Sequence, residues 1–173
     1  MIDRHLISLA IALQHIDADV PKLQAWGRTA SSKLAAGGRL LACGAGTRGQ
    51  QARHVVSEFA TQEDERPPLA VATLSVGSDA HTDCESGDVV LYLSATGADE
   101  GIAAAAAAAG ELGVTTWALT GPAPNALAAA CAEAVCVGVP ATSTVEEVHL
   151  AAIHILAAAL NSAVRDAAQP ETT

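Results

Sequence analysis

Ionisable residues are scarce in this 173-residue chain, and two short segments gather several of them. VEEVHLAAIH, from Val145 to His154, sets Glu146, Glu147, His149 and His154 at the head of an otherwise apolar run, IHILAAAL. On a regular helix Glu147 and His154 nearly eclipse, while His149 falls on a different side from His154. Glu146 and His154 are separated by about 12 Å of axial rise. One metal could take both only by sitting between them. Otherwise the two belong to different clusters, or a neighbouring subunit supplies one of them. Carboxylates in a first turn also favour the helix dipole without any chemistry, but that does not account for two histidines among Ala, Ile and Leu.

The second segment is ARHVVSEF, in which His54 and Glu58 stand four apart and share one helical face. That spacing suits two ligands of one metal, or a base with its orienting partner; the plain alternative is an exposed helical pair. Just upstream, GAGTRG (Gly44 to Gly49) satisfies G-x-G-x-x-G between an apolar run and a helical pattern. No acidic residue ends LAVATLSV to hold a ribose, so a nest of backbone N–H groups for a phosphate, or a structural turn, fits better than a dinucleotide site.

These residues need elements to hold them. RLLAC (39–43), LAVATLSV (69–76), DVVLYLSA (88–95), TTWALT (115–120) and AVCVGV (134–139) read as buried strands. Helical patterns lie between most of them, over 48–62, 98–112 and 123–132, with a last helix over 144–166. The alternation predicts an α/β fold with a doubly wound, five-stranded parallel sheet flanked by helices. Two helices before the first strand form an N-terminal extension, the second opened by Pro21. The expected organisation is 1–36 for those helices, 37–166 for the α/β domain and 167–173 for a frayed tail. In such sheets ligands bind beyond the carboxyl ends of the strands, where CGAGTRG, LSVGSDAHTD and LSATGADEG lie.

Composition narrows the classes. The chain is half hydrophobic but only 2% aromatic, so its core is built of Ala, Val and Leu and leans on close helix packing or on oligomer contacts. A formal charge of −10 repels nucleic-acid phosphates and anionic lipid, which disfavours both partners. No apolar run demands a membrane, the N-terminus reads as an amphipathic helix, and the expected location is cytoplasmic. Cys43, Cys84, Cys131 and Cys136 lack metal-site spacing and read as reduced thiols, mostly buried.

GRLLACGAG, then H-x-x-x-E, LSATG, WALTG and VPATSTVEEVHLAAIHIL together resemble the sugar isomerase (SIS) domain family, and within it the phosphoheptose isomerase branch. The likeness covers roughly residues 35 to 160, and its most specific element is the closing E-V-H-x-x-x-x-H-I-L. It implies an SIS fold, a homotetramer with active sites at subunit contacts, and aldose–ketose isomerisation of sedoheptulose 7-phosphate. By position it implies a zinc ion on His54, Glu58, Glu146 and His154, with Glu58 the catalytic base and His154 its partner. The branch has a Gln where Glu146 stands; two His and two carboxylates would also suit Fe(II) or Mn(II).

The substrate loops depart from the branch. Its C-G-N-G-G-S is here Cys43-Gly44-Ala45-Gly46-Thr47-Arg48, and its S-T-S-G-N-S is Ser94-Ala95-Thr96-Gly97-Ala98-Asp99. Ser143 replaces the usual acid, and GSDAHTDCESG replaces a longer helical insertion. Gly44, Gly46, Thr47, Arg48, Ser94, Thr96, Asp99 and Ser143 are the expected substrate-binding residues. Arg48 and Asp99 stand where phosphate-binding hydroxyls are usual, and a carboxylate there repels a phosphate. The first reading is therefore a metal-dependent isomerase for a sugar phosphate or related polyol, with an altered phosphate cradle. The alternatives are a metalloenzyme on this frame with a non-phosphorylated substrate, and a non-catalytic SIS tetramer that binds or assembles other proteins.

Overall fold

The computed structural model describes residues 2–44, 48–60, 68–75 and 83–168, without the side chains of residues 2, 3 and 48. Helix α1 (Ile2–Ile16) passes through one 3-10 turn, Asp17–Asp19, into α2 (Val20–Ala35), which Pro21 helps to open. The chain then alternates through β1 (Leu40–Gly44), α3 (Arg48–Ala60), β2 (Val71–Leu74), β3 (Val89–Ser94), α4 (Glu100–Glu111), β4 (Thr115–Thr120), α5 (Ala126–Ala130), β5 (Glu133–Cys136) and α6 (Thr142–Ala168). All four strand pairings are parallel, in the order β2-β1-β3-β4-β5. The order reverses between β1 and β3, which opens a crevice at their carboxyl ends.

The period of two along each strand divides the core. Leu40, Ala42, Leu91, Leu93, Trp117 and Leu119 face one layer, with side chains of α1, α2, α3 and α6. Leu41, Cys43, Val90, Tyr92 and Ala118 face the other, with side chains of α4 and α5. The two helices that carry the H-x-x-x-E and E-V-H-x-x-x-x-H motifs therefore lie on the same face. By length and composition α6 could cross a membrane; here Val145, Val148, Ala152, Leu156 and Leu160 bury it in the core. Gly27 permits close approach of α2, since a Cβ there would meet the Ala159 Cβ at 2.6 Å. Two of the few aromatics, Trp26 and Trp117, stack with ring centroids 4.8 Å apart and fill the centre of this layer.

Boundaries differ where local chemistry overrides the pattern. The expected helix 123–132 is reduced to Ala126–Ala130, because Pro124 keeps the residue before it out of the helical region and Asn125 supplies the cap. The strand expected over 134–139 pairs only as far as Cys136, and the last helix starts at Thr142 instead of Thr144. That helix also includes 167 and 168; the rest of the tail lies outside the described residues. At the amino ends of β1 and β3, Asp88 is 2% exposed and accepts hydrogen bonds from the Arg39 guanidinium and from the Arg39 and Glu85 main-chain N–H groups. This ties the two strands together at the edge opposite the crevice.

Candidate active site

His54 and Glu58 project from α3 and His154 from α6, and the three meet. The His54 and His154 Nε2 atoms are 3.3 Å apart, with the rings at 74°. Glu58 Oε1 lies 3.7 Å from the His54 Nε2 and 3.8 Å from the His154 Nε2. Among the described residues this is the group of His, Cys, Asp and Glu whose potential ligand atoms all fall within 4.8 Å of one another. A tetrahedral ion with metal–nitrogen bonds of about 2.0–2.1 Å holds two nitrogens about 3.3 Å apart. The donor set and its spacing thus fit one divalent ion. All three side chains are one-third or more exposed, so the group is reachable from solvent.

Glu146 and Glu147 are placed differently. Glu146 is not part of the close group; it lines an adjoining depression with Gln50, Gln51, His54, Ser143 and Glu147. Its main-chain carbonyl accepts a 3.0 Å hydrogen bond from Gln51 Nε2. Glu147 is turned toward α1, where His5 Nε2 lies 3.1 Å from both of its carboxylate oxygens. His149 is fully buried and belongs to the core side of α6.

The loop after β3 is held by its own side chains. Ser94 Oγ accepts from the Gly97 N–H at 3.0 Å, and Thr96 Oγ1 from the Ala98 N–H at 3.3 Å. Asp99 caps α4 through a 3.1 Å bond from the Ile102 N–H. Gly97 has φ +67, and a Cβ there would run into Asn125 and Thr120, so the turn requires glycine. The Asp99 charge reaches the end of β1: burial, then the Cys84 and Asp99 charges, push the Cys43 thiol up to about 11. Gly44 ends β1 and Ser143 is exposed in the first turn of α6. Gly46, Thr47 and the Arg48 side chain lie outside the described residues, and with them the glycine-loop nest.

A curated Streptomyces coelicolor phosphoheptose isomerase is 37% identical over an alignment spanning 92% of this chain and 78% of that protein. The chain belongs to the phosphoheptose isomerase family. It is an isomerase by that membership, and the assembly-protein alternative is set aside. No family model matches the chain. Among solved structures, a phosphoheptose isomerase from Francisella tularensis superposes with a TM-score of 0.79 at 24% identity, covering 93% of this chain and 96% of that one. A Vibrio vulnificus protein complexed with ManNAc-6P superposes at 0.63 with 16% identity, covering 96% of this chain and 66% of that one. Both establish the SIS fold for this family member.

Two features of this isomerase escape a reading of its sequence. Gln51 sits one turn before His54 on the same face, and its polarity there is the signal that could have drawn attention to it. The pairing of His5 with Glu147 spans the length of the chain and has no local signature.

Proposed function

We propose that the protein is a metal-dependent aldose–ketose isomerase of a sugar phosphate, with an altered phosphate cradle in which Asp99 weakens turnover of sedoheptulose 7-phosphate. The observation that carries this reading is the convergence of His54, Glu58 and His154 on one point. Glu58 presents Oε1 to the two histidines, which leaves its second oxygen to take a proton from the carbon beside the carbonyl. Returning that proton to the neighbouring carbon through an enediol completes the isomerisation. His154, more exposed than His54, is placed to move the proton between the two substrate oxygens. A divalent ion held by His54, Glu58 and His154, with Glu146 as a further ligand, would polarise those oxygens. Zinc is the first choice; Fe(II) or Mn(II) also suits two imidazoles and two carboxylates.

The family's name and the ManNAc-6P complex of a fold neighbour support a phosphorylated sugar. One observation favours a non-phosphorylated substrate instead: Asp99, Ser94 and Thr96 already occupy backbone N–H groups that an anion would use. Ser143, Gly44, Gly46, Thr47 and Arg48 complete the proposed substrate contacts. We also propose a cytoplasmic homotetramer, assembled in part through residues 1–36.

The test is deuterium incorporation, followed by proton NMR, with phosphorylated and free ketoses incubated in D2O. Exchange at the carbon beside the carbonyl is expected, reduced about 10²- to 10⁴-fold in Glu58→Gln. Equal exchange in parent and Glu58→Gln would overturn the assignment.

A further inference from the structure

Gln51, Val55 and Glu58 recur at helical spacing, with His54 beside them, so all four share the face that α3 turns toward α6. Gln51 is 9% exposed. Its Nε2 donates to the main-chain carbonyl of Glu146, while its Oε1 is shielded from solvent and has no partner among the described residues. A buried amide left half-satisfied is destabilising, and a Leu or Met of similar size would fill the space without that penalty. Packing alone therefore gives no reason for an amide at this position.

The bond it makes does give one. It joins α3 to the amino-terminal part of α6, one turn before His54 on one helix and at Glu146 itself on the other. We propose that Gln51 is a positioning residue: it fixes the spacing of α3 and α6, and so the placement of His54 and Glu58 against Glu146 and His154. Metal bond lengths tolerate about 0.2 Å, so ligands borne on two helices need such a brace. The present 3.3 Å between the imidazole nitrogens is already that of two ligands on one ion. Partners that orient ligands in this way change metal affinity about 10- to 100-fold when removed.

This inference rests on reading the His54, Glu58 and His154 group as a metal site, and its test keeps the two separate. Zinc affinity is measured on the full-length protein by competition with a chromophoric chelator, for the parent, Gln51→Met, Gln51→Leu and His54→Ala. The melting temperature of each metal-free protein is recorded alongside. The brace predicts zinc binding about 10- to 100-fold weaker in Gln51→Met and Gln51→Leu, with metal-free melting unchanged or raised. Parent-like affinity in both variants overturns the brace and leaves the metal site standing. Metal-free melting lowered in both, with affinity falling only in step, assigns Gln51 to packing and also overturns it. A parent that binds zinc no better than His54→Ala overturns the metal reading, and the brace falls with it.

Discussion

Replacing Asp99 by Ser tests what the capped start of α4 does to a charged substrate. Ser and Asp cap helices about equally well, so the exchange keeps the bond to the Ile102 N–H and removes one negative charge. A phosphoryl group seated at the first turn of α4 would lie about 5 Å from that carboxylate. At an effective dielectric of about 20 the repulsion is about 3 kcal/mol per unit of phosphate charge. Solvent and salt screen a half-exposed carboxylate, which leaves about 2–4 kcal/mol for a dianion, or about 30- to 1,000-fold. Loss of the favourable helix-dipole interaction lowers stability by only about 0.3–1 kcal/mol. The assay is kcat/KM on sedoheptulose 7-phosphate, with free sedoheptulose as reference. Weak activity is expected of the parent on the phosphate, and a gain of about 30-fold or more in both Asp99→Ser and Asp99→Asn. The free sugar should be little affected. A parent that is efficient on the phosphorylated heptulose and unimproved by either variant would refute the reasoning.

Arg39→Met should destabilise the protein by about 2–3 kcal/mol in urea titrations: it strips buried Asp88 of its charged partner but leaves two backbone donors. Burial raises the Asp88 carboxyl, yet the Arg39 guanidinium and the Glu85 and Arg39 N–H groups more than offset this and hold it below its usual 3.8. That stabilisation is present above pH 3.8 and lost as the pH falls below it, so the gap between parent and variant should close in acid. Burial pushes the Cys131 thiol up to about 12, the nearby Thr116 bond only partly offsetting it, and the Cys43 thiol up to about 11. Iodoacetamide at pH 8 should therefore leave buried Cys43 unmodified in native protein and modify half-buried Cys131 only slowly; rapid alkylation of Cys43 seen by mass spectrometry would contradict its burial. Leu6, Ile7 and Ile11 are 56%, 59% and 47% exposed on α1. If they cover a subunit contact, light scattering should find a tetramer in the parent and smaller species in Ile7→Glu/Ile11→Glu.

The strands were legible because an all-parallel sheet buries both faces, and runs such as VVLYLS and TTWALT announce that without ambiguity. The helix that bears His154 was legible from composition, since a segment otherwise made of Ala, Val, Ile and Leu rarely carries His and Glu without a use for them. Helix α3 is more polar, and the His54–Glu58 spacing alone fits an exposed helical pair equally well. What escaped is tertiary. The 12 Å or so between Glu146 and His154 along one helix leaves open which cluster Glu146 joins, and the chain itself places it beside Gln51 and Ser143. Asp99 reads in sequence as a free charge in a loop, although an Asp ahead of an Ala-rich run is also a helix-cap signature. Its side chain follows the second rule. Gln51 looks like any polar residue in a helix, and only the packing of α3 on α6 makes it a buried one.

The central claim is that His54, Glu58 and His154 hold a divalent ion on which the isomerase depends. Elemental analysis of the purified protein, followed by melting of chelator-stripped protein with and without added zinc, tests it most directly. About one metal per chain is expected, with a melting temperature that zinc raises by an amount equivalent to some 2–4 kcal/mol at saturating metal. His54→Ala should show neither. Metal-free protein whose melting is indifferent to zinc, in parent and variant alike, would contradict the claim.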